Sequence, residues 1–308
     1  MDEINQTKVT FFIIKGISDV PALQAPIFLL VLLIYLFTLG GNLTILLLVC
    51  LDHHLHTPMY FFLCNLSIMD MCCSTVTLHN TFIMFLTKSN QVSFSTCMAQ
   101  IYFFSSFTSN ELLILTAMSY DRYMAICNPL HYPVVMKMKN CYVLACACWF
   151  VGFIEIIPYM VLTLNLTCYK SNIMNHFFCD IVFVLKLSCS DTSALIILFF
   201  TEGLLLLSLT PFLLTFISYL FIIAPILKIR SSSGRQKAFY TCSSHLTVVV
   251  LLYSTLFCQY LMPSSMDTLD FNKGFSLFNT AAVPILNPII YSLKNEDVKA
   301  ALKRKIKL

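Results

Sequence analysis

Seven apolar stretches, each long enough to cross a bilayer as a helix, dominate this chain of 308 residues. They run Ala25–Cys50, Pro58–Leu86, Ser95–Ile126, Asn140–Leu164, Thr192–Ile229, Gln236–Leu261 and Asn272–Ser292. About 20 residues at 1.5 Å each cover the ~30 Å of hydrocarbon in a membrane. Lipid offers the backbone no hydrogen-bond partners, so such stretches are expected to be helical. Composition excludes the alternative of a water-soluble domain. Only 11% of residues are charged, against roughly 25% in soluble domains, and mean hydropathy is +0.81. Proline interrupts several of the stretches (Pro158, Pro211, Pro225, Pro284 and Pro288), which is tolerable where neighbours satisfy the freed carbonyls.

The expected fold is all-α: a bundle of seven transmembrane helices forming a single domain over 1–308. It divides into an outer tail 1–24, the bundle 25–292 and a cytoplasmic tail 293–308, whose basic and apolar residues suit a short amphipathic helix on the membrane. Residues 1–23 lack the basic start and short apolar core of a cleavable signal, so the first span is expected to act as the membrane signal. With the amino terminus outside, only Lys8, Lys15, Lys88, Lys170, Lys186 and Lys273 of the 19 basic residues face outward. That asymmetry favours an amino terminus outside and a carboxyl terminus inside. Sequons at Asn5 and Asn165 then lie outside, whereas the one at Asn65 falls within a span.

Several residues carry chemistry. Asp121 and Arg122 end the third stretch as a charge pair that a conformational change can open, or as an ordinary interfacial ion pair. Asp70 lies twelve residues beyond Pro58 and Glu111 eleven before Arg122, so both acids sit ~16–18 Å from one face. Acids at one depth suit a cation or a shared proton; the alternative is one protonated carboxyl acting as a hydrogen-bond donor. Glu155 and Glu202 form a second buried pair, read as protonated acids bonded between the fourth and fifth spans, or with Glu202 meeting a basic ligand.

Of 14 cysteines, Cys97, Cys168, Cys179 and Cys189 face outside, where disulfides persist. Spacing alone leaves all three pairings open. A metal site at His176 and Cys179 is a further alternative.

The run Met118-Ser119-Tyr120-Asp121-Arg122-Tyr123-Met124-Ala125-Ile126-Cys127 resembles the signature of odorant receptors, a branch of the rhodopsin-like G-protein-coupled receptors. Further blocks resemble that family in the same order. They are Gly41-Asn42, Leu55-His56-Thr57-Pro58-Met59-Tyr60, Ser218-Tyr219, Lys237-Ala238-Phe239-Tyr240-Thr241-Cys242-Ser243-Ser244-His245-Leu246 and Pro284-Ile285-Leu286-Asn287-Pro288-Ile289-Ile290-Tyr291. Tyr240 and Ser254 depart from the family's usual residues.

The resemblance implies an odorant receptor of the plasma membrane, not an enzyme, that activates a stimulatory olfactory-type G protein. The alternative is a rhodopsin-like receptor for a non-odorant small molecule in another tissue. It implies disulfides Cys97–Cys179 and Cys168–Cys189, supports sodium at Asp70 and Glu111, and assigns coupling to Asp121, Arg122, Tyr123, Tyr219, His245, Asn287, Pro288 and Tyr291. No cofactor beyond that ion is expected, and the expected partners are an odorant, the G protein and membrane lipid, with no nucleic acid. Phe104, Ser105, Thr108 and Ser109 share one helical face. Glu202, Gly203, Leu207, Tyr253, Leu256, Tyr260, Leu277 and Thr280 complete the expected lining of a ligand cavity, suited to a small, neutral, oxygenated molecule. The alternative for that face is a packed helix–helix seam.

Overall fold

A computed structural model describes residues 9–18, 20–261, 268–294 and 296–306. The sequon at Asn5 and the basic residues Lys8 and Lys307 lie outside the described residues. The first three spans are Pro21–Leu51, Pro58–Thr87 and Phe94–Cys127. The fourth joins Met138–Ile154 to Ile156–Leu164. The fifth joins Ser193–Leu198, a π-helical stretch Phe199–Leu209 and Thr210–Lys228. The sixth is Ser232–Leu261, and the seventh joins Thr268–Leu277, a π turn Phe278–Ala282 and Val283–Lys294. The helix Glu296–Ile306 follows. Among the described residues, the first, second, fourth, fifth and sixth spans are long and apolar enough to cross a membrane individually.

The third span is more polar because it is the central post. It packs against the second, fourth and fifth spans, burying Ser106, Asn110, Glu111, Ser119 and Asp121. At 34 residues it is about 51 Å long. Its start is capped by Ser93, whose Oγ accepts from the Thr96 N–H at 3.1 Å. Gly152 lets the fourth span approach closely, since a Cβ there would lie 2.5 Å from Asn110 Nδ2.

The prolines explain much of the remaining detail. A proline has no N–H for the carbonyl four residues earlier, and lipid cannot supply a donor. Neighbouring spans supply it. Pro225 frees the Phe221 carbonyl, which accepts from Cys127 Sγ at 3.6 Å. Pro284 frees that of Thr280, which accepts from Ser74 Oγ at 3.4 Å. Pro288 frees that of Pro284, which accepts from Asn42 Nδ2 at 3.1 Å. Pro158 frees Ile154 where the fourth span is interrupted, at Glu155. The wide turns of the fifth and seventh spans end beside Pro211 and Pro284, consistent with the tendency of π-bulges to relieve such crowding.

The outer face carries a small sheet that the apolar pattern does not announce. Strand β1 (Phe11–Ile14) pairs antiparallel with β2 (Gln91–Ser93) and parallel with β3 (Ile173–Met174). Alternation buries Phe12 and Ile14 completely. Gly16 then turns the chain at φ +80°, in the region glycine tolerates best.

Candidate functional site

A cavity of about 140 Å³ opens among the outer halves of the third to sixth spans. One wall is Ile101, Phe104, Ser105, Thr108, Ser109 and Leu112, a stripe on one face of the third span. Gly203, Leu204, Leu207 and Ser208 come from the π stretch of the fifth span, and Leu256, Phe257 and Tyr260 from the sixth. Ile156, Tyr159 and Met160 close it from the fourth, beyond the break at Glu155. The lining is aliphatic and aromatic with a few hydroxyls, the usual chemistry of a small-molecule site.

The second outer loop roofs the cavity with Ile181. Cys179 is disulfide-bonded to Cys97 at the top of the third span, and Cys168 to Cys189 within the loop. Cys179 is therefore not a thiolate, and the neighbouring His176 Nδ1 lies 3.1 Å from the Phe178 carbonyl oxygen. Burial pushes the His176 pKa down to about 3, so the ring is neutral at physiological pH. Asp180, also buried, accepts from the Val182 N–H at 2.8 Å, from Gln259 Nε2 at 3.1 Å and from the Tyr260 hydroxyl at 3.1 Å. The loop is thus tied both to the third span, by the disulfide, and to the sixth, by Asp180.

Midway through the bundle, Asn287 Nδ2 donates to both Asp70 oxygens at 3.0 Å. The buried oxygens Asn42 Oδ1, Glu111 Oε1 and Asn287 Oδ1 have no hydrogen-bond partner among the described residues. At the far end, Arg122 Nε donates to Asp121 Oδ2 at 2.9 Å. The other carboxylate oxygen, Oδ1, accepts from the Tyr132 hydroxyl at 2.9 Å. Nearby, Tyr219 and His245 Nδ1 share a buried hydrogen bond of 2.7 Å.

A seven-span bundle with a roofed outer cavity and an arginine held at the opposite end has close relatives. The olfactory receptor family model matches residues 31–307. Olfactory receptor 5AR1 of Mus musculus is 46% identical over 312 residues, covering 99% of this chain and 98% of its own. Olfactory receptor 8U9 of Homo sapiens is 46% identical over 305 residues, covering 99% and 98%. The chain belongs to the olfactory receptor family.

In this receptor, the cavity gathers Phe104, Ser105, Thr108, Ser109, Gly203, Leu207, Leu256 and Tyr260 from the expected lining. Four other expected positions lie outside that lining among the described residues. Tyr253 is 2% exposed and packs against Phe212 and the lining residue Phe257, one layer behind the cavity wall. Thr280 is buried beside the second span, where Ser74 reaches its carbonyl. Leu277 packs against the cluster of Phe104, Phe107, Phe177 and Phe178, of which Phe104 lines the cavity. Glu202 is half-buried on the π stretch, whose wider turns bring Gly203, Leu204, Leu207 and Ser208 to the inner face instead. Among the described residues, Glu155 accepts from Ser109 Oγ on the third span rather than bonding to the fifth.

The sequence reading missed the whole contribution of the fourth span. Pro158 was the available signal, since a proline there breaks the helix and lets Ile156, Tyr159 and Met160 turn inward. Ile181 had a weaker one, lying two residues beyond the disulfide-bonded Cys179.

Proposed function

We propose that the outer cavity is the odorant site and accepts a small, neutral, mostly apolar molecule bearing one oxygen. The observation that carries this reading is the lining: aliphatic and aromatic side chains with hydroxyls at Ser105, Thr108, Ser109 and Ser208, and no charged residue among the described residues. A neutral oxygen can use such hydroxyls, whereas an ammonium group would lose its hydration without a countercharge. Names of relatives support odorant sensing in general, and the uncharged lining narrows the class.

Odorant binding shifts a pre-existing equilibrium toward an open cytoplasmic face. Opening frees Arg122 from Asp121, whose other oxygen Tyr132 holds, and the Tyr219–His245 contact rearranges with it. Tyr123, Asn287, Pro288 and Tyr291 belong to the same relay, and the G protein engaged is of the stimulatory olfactory type. This reading puts the amino terminus outside, supported by the lysine and arginine asymmetry and by the two disulfides on that face. Sodium is proposed at Asp70 and Glu111, with Asn287, which is bonded to Asp70, and Asn42 as candidate further ligands. The unpartnered oxygens of Asn42, Glu111 and Asn287 are the hard ligands such a cation takes, and the ion would supply positive charge to the two acids.

The test is a cyclic-AMP response in cells expressing the receptor with an amino-terminal epitope tag. Neutral alcohols, aldehydes, ketones and esters are screened beside amines of matched size. Activation by neutral oxygenated compounds, with the tag stained on intact cells, is the expected result. Agonists confined to amines would overturn the ligand class, and staining only after permeabilisation would overturn the orientation. For sodium, thermal stability should rise with sodium chloride relative to choline chloride, and Asp70→Asn should remove the difference.

A further inference from the structure

A second recess lies away from the odorant cavity, between the first span, the seventh span and the helix Glu296–Ile306, with a volume of about 550 Å³. Two glycines shape it in different ways. A Cβ added at Gly41 would lie 2.9 Å from Pro288 Cγ, so Gly41 marks the close contact of the first and seventh spans. A Cβ added at Gly40 would meet nothing within 4 Å, so Gly40 faces open space. The recess is bordered by Phe37, 68% exposed, and Leu302, 38% exposed. It is therefore open on the side that faces hydrocarbon in a membrane-spanning chain.

Its dimensions and charge select an occupant. The lining on the first span runs from Phe37 to Leu48, about 16 Å at 1.5 Å per residue, or one leaflet of a bilayer with ~30 Å of hydrocarbon. The recess is too apolar to hold ordered water, which needs two to four polar partners. Lys299 stands exposed at the end formed by the last helix. Val298 and Ala301 of that helix are buried, which pins it against the bundle while Lys299 and Lys303 face outward. An apolar slot one leaflet deep that ends at an ammonium group matches an acyl chain joined to a phosphate.

We propose that this recess binds one anionic glycerophospholipid from the leaflet that carries the carboxy-terminal helix. One acyl chain lies over Gly40 and Thr44 against Pro288, and the headgroup phosphate meets Lys299. Basic residues beside a slot between spans suit such headgroups. Because Pro288 is both a wall of the slot and the contact of Gly41, an occupied slot braces the junction of the first and seventh spans.

The test uses the full chain in phosphatidylcholine nanodiscs containing a trace of phosphatidylserine with a photoreactive group on its acyl chain. Labelling should concentrate on peptides covering 37–48 and 285–302. Unlabelled phosphatidylserine should displace the probe roughly fivefold more effectively than phosphatidylcholine, the preference expected for one lysine near the headgroup. Gly40→Leu, which fills open space, should remove most of that labelling and leave other spans labelled as before. Lys299→Gln should bring the two lipids to parity. Uniform labelling around the bundle, equal competition on the unaltered chain, or displacement by cholesterol alone would each overturn the proposal. Competition on the unaltered chain decides the question even if Gly40→Leu fails to accumulate.

Discussion

Asn42 donates its side-chain amide to the carbonyl of Pro284 at 3.1 Å, across the seam between the first and seventh spans. That carbonyl is free because Pro288, four residues on, has no N–H to give it. The asparagine thus replaces a missing rung of the seventh helix with a bond from the first. Losing it leaves a buried acceptor unpaired, at a cost of about 1–3 kcal/mol. Asn42→Ala should therefore lower thermal stability and surface delivery. Pro288→Ala restores the N–H, so Asn42→Ala should cost less in that background. Equal losses in both backgrounds, measured as a double-mutant cycle of thermal stability, would mean the bond does not serve this purpose.

At the cytoplasmic end, the two oxygens of Asp121 are divided between Arg122 and Tyr132. Tyr132 holds the carboxylate in place, and through it the guanidinium. Tyr132→Phe removes one hydrogen bond to a charged group, ~1.5 kcal/mol or more where the bond is fully lost. Basal cyclic-AMP production should rise by roughly tenfold or more, since about 1.4 kcal/mol is a factor of ten. Arg122→Ala should abolish the odorant response while surface staining persists. Unchanged basal activity in Tyr132→Phe would show that this bond does not restrain the resting state.

Most spans were legible because lipid demands continuous apolar helix, which the first, second, fourth, fifth and sixth meet individually among the described residues. The inward face of the third span was legible too. It is a regular α-helix, so Phe104, Ser105, Thr108 and Ser109 keep the 3.6-residue phase on which the reading relied. That phase fails where the helix widens. Thr280 belongs to the π turn of the seventh span, and Glu202 to the longer π stretch of the fifth. In both, regular spacing misassigns the inner face. The outer sheet was illegible for another reason: β1 and β3 pair residues about 160 apart, such as Ile13 and Ile173. Each strand is too short to stand out beside seven apolar helices. The Cys97–Cys179 bridge came from family resemblance rather than spacing, and its geometric role, holding Ile181 over the cavity, emerges only in three dimensions.

Asp180 offers a pH-dependent prediction. Burial raises its pKa above 3.8, although bonds from Val182, Tyr260 and Gln259 pull the other way. An acid with a raised pKa in the fold favours folding more when protonated, so its ionised form is a burden at pH 7 that lessens as pH falls through the folded value. Asp180→Asn keeps an acceptor for Tyr260 and loses the charge. It should match or exceed the parent in melting temperature at pH 7, and the gap should close toward pH 4. Asp180→Leu, which removes the acceptor for Val182, Gln259 and Tyr260, should weaken odorant potency and stability. If Asp180→Asn is as unstable as Asp180→Leu at pH 7, the charge itself holds the loop.

Recognition of an oxygen in the cavity falls to the serines of its lining. Ser109 lines it, but its hydroxyl donates to Glu155 Oε1, so its proton already has a strong acceptor on the fourth span. Ser105 and Ser208 stand in the same lining on the third and fifth spans. A neutral hydrogen bond contributes ~0.5–1.5 kcal/mol net, about a tenfold change in potency at most. Ser105→Ala and Ser208→Ala should therefore weaken oxygenated agonists by up to roughly tenfold and leave hydrocarbon analogues nearly unchanged. Ser109→Ala should act differently. It unties the third span from Glu155 and reshapes the wall, so both classes of compound should weaken together. Tyr260→Ala should also weaken both, because it removes packing and the bond to Asp180. Concentration–response curves for matched alcohol and alkane pairs separate these cases. A Ser109→Ala loss confined to the alcohols would show that this hydroxyl, despite Glu155, binds the ligand directly. Amine agonists whose response vanished in Glu202→Gln but survived in Ser105→Ala would sink the neutral-ligand reading and make that glutamate the anchor.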